Sequence, residues 1–415
     1  MSPPRYKHPL PLTVSTLSIP GMDVTQLRIA LFTGNYNYVR DGANQALNRL
    51  VAYLLAQGAA VRIYAPTVAN PAFEGVGDIV HVPSFPVPRR KEYRLPYGLP
   101  TSARQDLKQF APNIFHIASP EMLGVRAVTL ARKWDIPVVA SVHTRFETYL
   151  RYYGLAFAEP LIEAWLRRLY RRCDEIFAPS ESMAQLLREQ RMSYNVGIWS
   201  RGIDTTIFNP DRRDLAWRRE FGIADDEPVI GFVGRLVMEK GLDVFSDAID
   251  QLKRRGVRHK VMIIGDGPAR DWFGRRLPDA IFAGFQEGAD LGRAVASLDM
   301  LFNPSITETF GNVTLEAMAV GLPVIAARAT GSSCLVDEGE TGRLVTPGAI
   351  GAFADALGEY CTDPAHRNAT GAAGRKASEQ YGWDRVNQAL VEQYIRVIRH
   401  RANGGGPPPT QSPVP

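Results

Sequence analysis

From Leu27 onward, short apolar runs alternate with stretches of helical periodicity, a pattern that predicts parallel α/β architecture. In the first half, runs at 27–33, 60–66, 78–83, 113–118, 137–143, 175–180 and 195–200 predict strands. Apolar residues at helical spacing over 43–56 predict a helix between the first two. The series restarts after a helical segment at 212–222, with strands predicted at 228–234, 260–265, 280–284, 300–305, 323–327 and 342–347. These runs are apolar almost throughout rather than alternating, which suits sheets covered on both faces. An amphipathic segment at 384–399 closes the pattern.

At 415 residues the chain is longer than one hydrophobic core usually supports, and the repeated series divides it. The expected organisation is a loose extension at 1–26, a first Rossmann-like domain at 27–202, and a second at 203–383. A helix at 384–400 packs back toward the first domain, and a disordered tail follows at 401–415. The junction falls near 202–210, within the loop-like run Arg-Gly-Ile-Asp-Thr-Thr-Ile-Phe-Asn-Pro. Two doubly wound α/β domains facing across a cleft are expected, with ligands outside the carboxyl ends of their strands.

A composition of 45% hydrophobic and 22% charged residues is that of an ordinary globular protein. The net charge of +5 is too mild to argue for nucleic acid. Cys173, Cys334 and Cys361 form no CxxC pair and no metal-ligand spacing, so neither a disulfide framework nor a metal site is expected. No run reaches the roughly eighteen apolar residues of a membrane span. The Pro- and Ser-rich start lacks the apolar centre of a signal peptide. A cytoplasmic protein is the expectation.

Unusual residues collect at the predicted strand ends. Glu308-Thr-Phe-Gly-Asn-Val-Thr-Leu-Glu316 places two carboxylates around a turn that opens a helix. The amides of Phe310, Gly311, Asn312 and Val313 suit an anion, because the first helical turn leaves N–H groups unpaired. Glu308 before that turn suits hydroxyl groups, and Glu316 points toward the same neighbourhood. The run 228–234 leads into Gly234, Arg235, Lys240 and Gly241, two cations suited to clamp a diphosphate; a solvated loop pair is the competing reading. The run 260–265 continues into the tight turn Gly265-Asp266-Gly267, and 280–284 is followed by Phe285, placed to lie against a flat base. In the first half, His143 ends a strand, and Gly42 opens a helix where its amide can meet a phosphate. No GxGxxG fingerprint stands there, which argues against NAD. The features converge on a phosphate joined to a polyol, as in a nucleotide sugar.

Taken in order, these motifs together with Arg201-Gly202-Ile203-Asp204, Phe208, Pro210 and Ala319-Gly321-Pro323 resemble the retaining GT-B glycosyltransferases of family 4 over about 27–400. The resemblance implies that Arg235 and Lys240 neutralise the leaving diphosphate and that Glu308 holds donor-sugar hydroxyls. It implies that Glu316 binds ribose hydroxyls and that His143 lies near the reacting face. It also implies a UDP- or GDP-linked hexose donor, no divalent metal, and retained anomeric configuration. The sequence departs from the family pattern at Gly42-Ala43, where many relatives carry Gly-Gly.

The run 143–154 looks like the corresponding loop in relatives that glycosylate lipids, including mannosyl-, hexuronosyl- and sulfoquinovosyltransferases. A membrane lipid or lipid-linked glycan is therefore the first acceptor expected, and a soluble saccharide the second. Arg167, Arg168, Arg171 and Arg172 fan beside an apolar stripe of Leu161, Ile162, Trp165, Leu166 and Leu169. With Arg89, Arg90 and Lys91 they form basic patches that suit an anionic membrane face. Packing of the stripe on the core, with solvated arginines, is the alternative. A non-catalytic nucleotide-sugar-binding protein of the same fold and a sugar-nucleotide epimerase are the rival classes.

Overall fold

The computed structural model describes residues 22–39, 41–87, 90–143, 157, 159–329 and 331–405, with the backbone alone described at 90–92. Most of the expected N-terminal extension, the last ten residues, Arg89 and the run 144–154 lie outside these residues. The chain divides into two compact units, one of 202–382 and one that joins 22–201 to the segment from Trp383 onward.

The first unit is built on β1 (Arg28–Phe32), β2 (Ala60–Ala65), β3 (Asp78–His81), β6 (Ile114–Ile117), β7 (Val138–Ser141), β8 (Glu175–Ala178) and β9 (Val196–Ile198). All pair in parallel in the order β3-β2-β1-β6-β7-β8-β9. Both sheet faces are covered. Phe32, Phe115, Val138 and Ile176 face one core, while Leu31, Ile114, Val139 and Phe177 face the other. The helix Trp383–Ala402 completes the second core through Val386, Leu390, Val391, Tyr394 and Val397. An antiparallel hairpin of β4 (Ser84–Val87) and β5 (Arg90–Pro96) was not expected from the sequence. Arg90 and Lys91, expected in a basic surface patch, lie on its second strand.

The second unit holds β10 (Val229–Val233), β11 (Lys260–Ile264), β12 (Ile281–Gly284), β13 (Met300–Asn303), β14 (Val324–Ala327) and β15 (Gly342–Val345). They form a parallel sheet in the order β12-β11-β10-β13-β14-β15. This order reverses direction between β10 and β13, and in the first unit between β1 and β6. Such reversals open a crevice at the carboxyl ends, because successive helices pass to opposite faces of the sheet.

Candidate active site

Gly234 follows β10 with φ of 141°, and Gly265 follows β11 with φ of 137°. A Cβ on Gly265 would lie 2.0 Å from the Gly234 carbonyl oxygen, so the two backbones touch where no side chain fits. The Leu236 amide donates to the Asp266 carbonyl at 3.0 Å, and the Ala269 amide donates to the Leu236 carbonyl at 3.0 Å. The Gly265 amide donates to the Gly284 carbonyl at 2.8 Å. The loop 234–241 is thereby laced onto the turn Gly265-Asp266-Gly267, whose Asp266 carboxylate accepts from the Gly267 amide at 2.7 Å.

The short turn Met238–Lys240 in that loop carries Lys240 to Glu308, with Nζ and Oε1 2.5 Å apart. Glu308 lies in the loop after β13, so this ion pair spans the reversal point of the sheet. Both side chains are half-buried. Asn303 donates to Thr314 Oγ1 at 3.3 Å, and Ser305 and Thr307 share a hydroxyl contact at 3.3 Å. These bonds tie the turn to the helix Asn312–Ala319. That helix starts at Gly311, φ 96°, with no side-chain cap, which leaves the positive end of its dipole open. The Phe310 ring is buried, edge-on to Tyr381. Its amide, and not its ring, is the group available at the turn. Gly331 presses on the same turn, where a Cβ would lie 2.6 Å from Glu308 Cβ.

Glu316 sits one turn into the helix, and burial followed by the nearby Glu308 charge pushes its carboxyl up to about 7. The Arg235 side chain is exposed and makes no hydrogen bond or ion pair with any described residue, while its carbonyl accepts from the Val237 amide at 3.0 Å. Phe285 is exposed just past β12. The residues expected to meet a donor in the second unit thus share one end of one sheet. An anion acceptor, a hydroxyl acceptor and an uncapped helix adjoin there. Among the described residues no three His, Cys, Asp or Glu side chains are grouped to hold a metal ion.

His143 and Gly42 belong to the first unit. Gly42 is the first residue of the helix Gly42–Ala56, which Asp41 caps by accepting from the Asn44 amide at 2.8 Å. His143 lies just past β7, and both its ring nitrogens have protein partners. Nε2 is 2.8 Å from Ser141 Oγ, and Nδ1 accepts from Arg201 Nη2 at 2.7 Å. Ser141 Oγ continues to His116 Nε2 at 2.8 Å, and His116 Nδ1 to the Tyr394 hydroxyl at 2.6 Å. Burial lowers His116 to about 3, and burial with the Arg201 charge lowers His143 well below the usual imidazole range. Both rings are neutral near pH 7.

Sequence reasoning did not foresee this chain of groups. Its trace in the sequence is a histidine and a serine inside otherwise apolar strand runs. Glu121 also went unremarked. Its carboxyl accepts from Ser119 at 3.2 Å and lies against Gly34, where a Cβ would be 1.8 Å from Oε2. Burial pushes that carboxyl up to about 7.

In the helix Glu159–Tyr170, Leu166 and Leu169 are buried, and Ile162 and Trp165 pack on the same core, while Leu161 is exposed. Arg167 and Arg171 donate to the carbonyls of Gln190 and Arg191, and Arg172 donates to Thr129 Oγ1. Arg168 is exposed. Most of the stripe therefore packs inward, as the alternative reading of this helix held, but three of the four arginines bond protein groups where that reading had them solvated. Among the described residues no helix is long and apolar enough to cross a membrane.

Two family profiles match the chain, Glycosyltransferase Family 4 over residues 40–207 and Glycosyl transferases group 1 over residues 227–363. The chain is 33% identical over 385 residues to the GDP-mannose-dependent alpha-mannosyltransferase of Mycolicibacterium smegmatis, spanning 91% of this chain and 99% of that protein. It is 30% identical over 382 residues to a sulfoquinovosyl transferase of Arabidopsis thaliana, spanning 89% of this chain and 74% of that one. Among solved structures, sucrose-phosphate synthase from Thermosynechococcus elongatus shares the fold with a TM-score of 0.75. That likeness covers 89% of this chain and 99% of the other, at 19% identity.

Proposed function

The chain belongs to the family 4 glycosyltransferases of GT-B fold, and from that premise we propose that it is a retaining hexosyltransferase with a GDP- or UDP-linked donor and a membrane lipid or lipid-linked glycan as acceptor. The observation that carries this reading is the Lys240–Glu308 pair at 2.5 Å beside the uncapped helix Asn312–Ala319. A ligand that matches it bears a phosphate and a sugar hydroxyl on neighbouring atoms.

The anomeric C1–O bond to the diphosphate breaks as the acceptor hydroxyl oxygen bonds to C1 on the same face, and the hydroxyl proton passes to the departing diphosphate oxygen. Charge builds on the departing diphosphate, where Lys240, Arg235 and the amides of Asn312 and Val313 receive it. Groups fixed before the reaction stabilise that charge without reorganising, and each lowers the barrier by about 2.7–4 kcal/mol in comparable sites. Glu308, held in place by Lys240, takes the sugar hydroxyls, and Glu316 takes the ribose. The GDP-mannose-dependent mannosyltransferase relative supports mannose from GDP-mannose as the first donor to try, and the likeness of the run 143–154 to loops of lipid glycosyltransferases supports a lipid acceptor.

A thermal-shift panel of GDP-mannose, UDP-glucose and ADP-glucose tests the donor, since a ligand of the folded state alone raises the melting temperature. Release of nucleoside diphosphate with an α-linked product is the expected turnover. An epimerised sugar, or binding without turnover in the presence of lipid and saccharide acceptors, would overturn the transferase reading.

A further inference from the structure

Arg201 is 5% exposed, and its hydrogen bond to His143 is the only one it makes among the described residues. Its Nη1 is buried without a partner. Asp41 is close enough for its charge to act on Arg201, yet Asp41 bonds the Asn44 amide and side chain instead. The guanidinium carbon also lies 5.5 Å from the centre of the Trp199 ring, whose edge meets His143. Burial lowers the guanidinium to about 10, which leaves it a cation at neutral pH. Desolvating a cation for one hydrogen bond to a neutral ring is unfavourable for stability. The arrangement calls for another role.

The hydrogen-bond directions supply one. Arginine has only donors, so Nδ1 of His143 must present its lone pair to it. The neutral ring then carries its proton on Nε2 and donates to Ser141. Ser141 has one proton of its own, which goes to Nε2 of His116. His116 in turn holds its proton on Nδ1 and donates to Tyr394. One fixed charge thereby sets the tautomers of two histidines and the rotor of one serine. Arg201 is also the last residue before the chain crosses into the other unit, and Tyr394 lies on the helix that returns from it.

We propose that Arg201 is the positioning residue for His143, holding the imidazole in its Nε2–H tautomer and so fixing the strand end that meets the reacting sugar. The proposal rests on the transferase reading only in giving His143 a substrate to meet.

The test is long-range ¹H–¹⁵N correlation of the imidazoles in full-length protein labelled at histidine, with His143 assigned by loss of its signals in H143Q. Wild type is expected to show His143 neutral and protonated on Nε2. Arg201→Gln is expected to mix or reverse the tautomers, because the amide oxygen can accept from Nδ1–H. Arg201→Lys, still a donor only, restores Nε2–H. With GDP-mannose turnover, Arg201→Gln lowers kcat about 10²-fold, while donor KM stays within about twofold because the donor grips lie on the other unit. Ser141→Ala cuts the chain on the far side of His143 and keeps the Nε2–H tautomer.

An Nδ1–H His143 in wild type overturns the proposal even if no Arg201 variant folds. So does a folded Arg201→Gln with altered tautomer and undiminished kcat. A wild type that turns over no sugar nucleotide while showing the expected tautomer sinks the transferase reading alone.

Discussion

Lys240 and Glu308 stand 68 residues apart in sequence, and their side chains meet at 2.5 Å. The pair brings the loop after β10 to the loop after β13 across the point where the sheet reverses direction. Under the proposed function, each partner serves a different part of one donor. Lys240→Met and Glu308→Gln are each expected to lower kcat by about 10²–10³-fold. Acting as one unit, they make the double variant little worse than the poorer single, a non-additivity that initial rates will show. Because both side chains are half-buried, thermal stability is expected to fall by at most about 1 kcal/mol. Near-normal turnover in both singles would remove this pair from the active site.

The contact of Gly265 with Gly234 makes a second expectation. At φ of 137° a side chain is strained, and a Cβ 2.0 Å from the Gly234 carbonyl oxygen requires backbone to move. Gly265→Ala should cost about 1–3 kcal/mol of stability and displace the loop that carries Arg235 and Lys240. Donor KM should rise together with the fall in melting temperature. A variant with wild-type donor affinity would show that the two loops need not touch.

Most of the parallel strands of both units were readable because they are buried on two faces and therefore apolar along their length; the edge strands β3 and β12 are less buried. The β4–β5 hairpin was not, since Phe85 and Pro86 sit on an exposed surface and its second strand is charged. At the candidate site, Glu308, Glu316, Lys240 and the glycines stand in recognisable motifs, and the structure brings Lys240 and Glu316 to Glu308. What the sequence could not show was pairing at a distance. His116 and Tyr394 are 278 residues apart, and a histidine within an apolar run reads as core until its partners are placed. Gly331 likewise has no motif to mark it, because its role is the absence of a side chain beside Glu308.

Glu316 gives the apo protein a pH signature. Its carboxyl stands at about 7 in the folded chain against 4.5 ordinarily, first through burial and then through Glu308. Below about 4.5 both states hold the proton, and its contribution to stability is complete. As pH rises toward 7, the unfolded chain loses the proton while the folded chain keeps it, so stability falls. Glu316→Gln is neutral throughout, and the melting temperature of wild type minus that of the variant isolates this one group. That difference should decline between about pH 4 and about pH 8, which lie on either side of the 4.5 to 7 window. A flat difference would mean that Glu316 titrates as an ordinary carboxyl in the folded chain.

The helix Trp383–Ala402 follows the second unit in sequence and belongs to the first in structure. Val386, Leu390, Val391, Tyr394 and Val397 are buried in the first unit's core. Arg396 bonds Glu175 at 2.5 and 2.7 Å, and Tyr53 donates to Gln388 at 2.7 Å. Burying each large apolar side chain contributes about 1.5–3 kcal/mol, so removing five exceeds much of the roughly 5–15 kcal/mol that holds a domain folded. Deleting 383–415 should therefore unfold the first unit while 202–382 keeps its own two cores. Limited proteolysis of the truncated chain is expected to digest the first unit and leave a resistant fragment that starts near Gly202. Equal resistance of both units would show that the first unit folds without this helix.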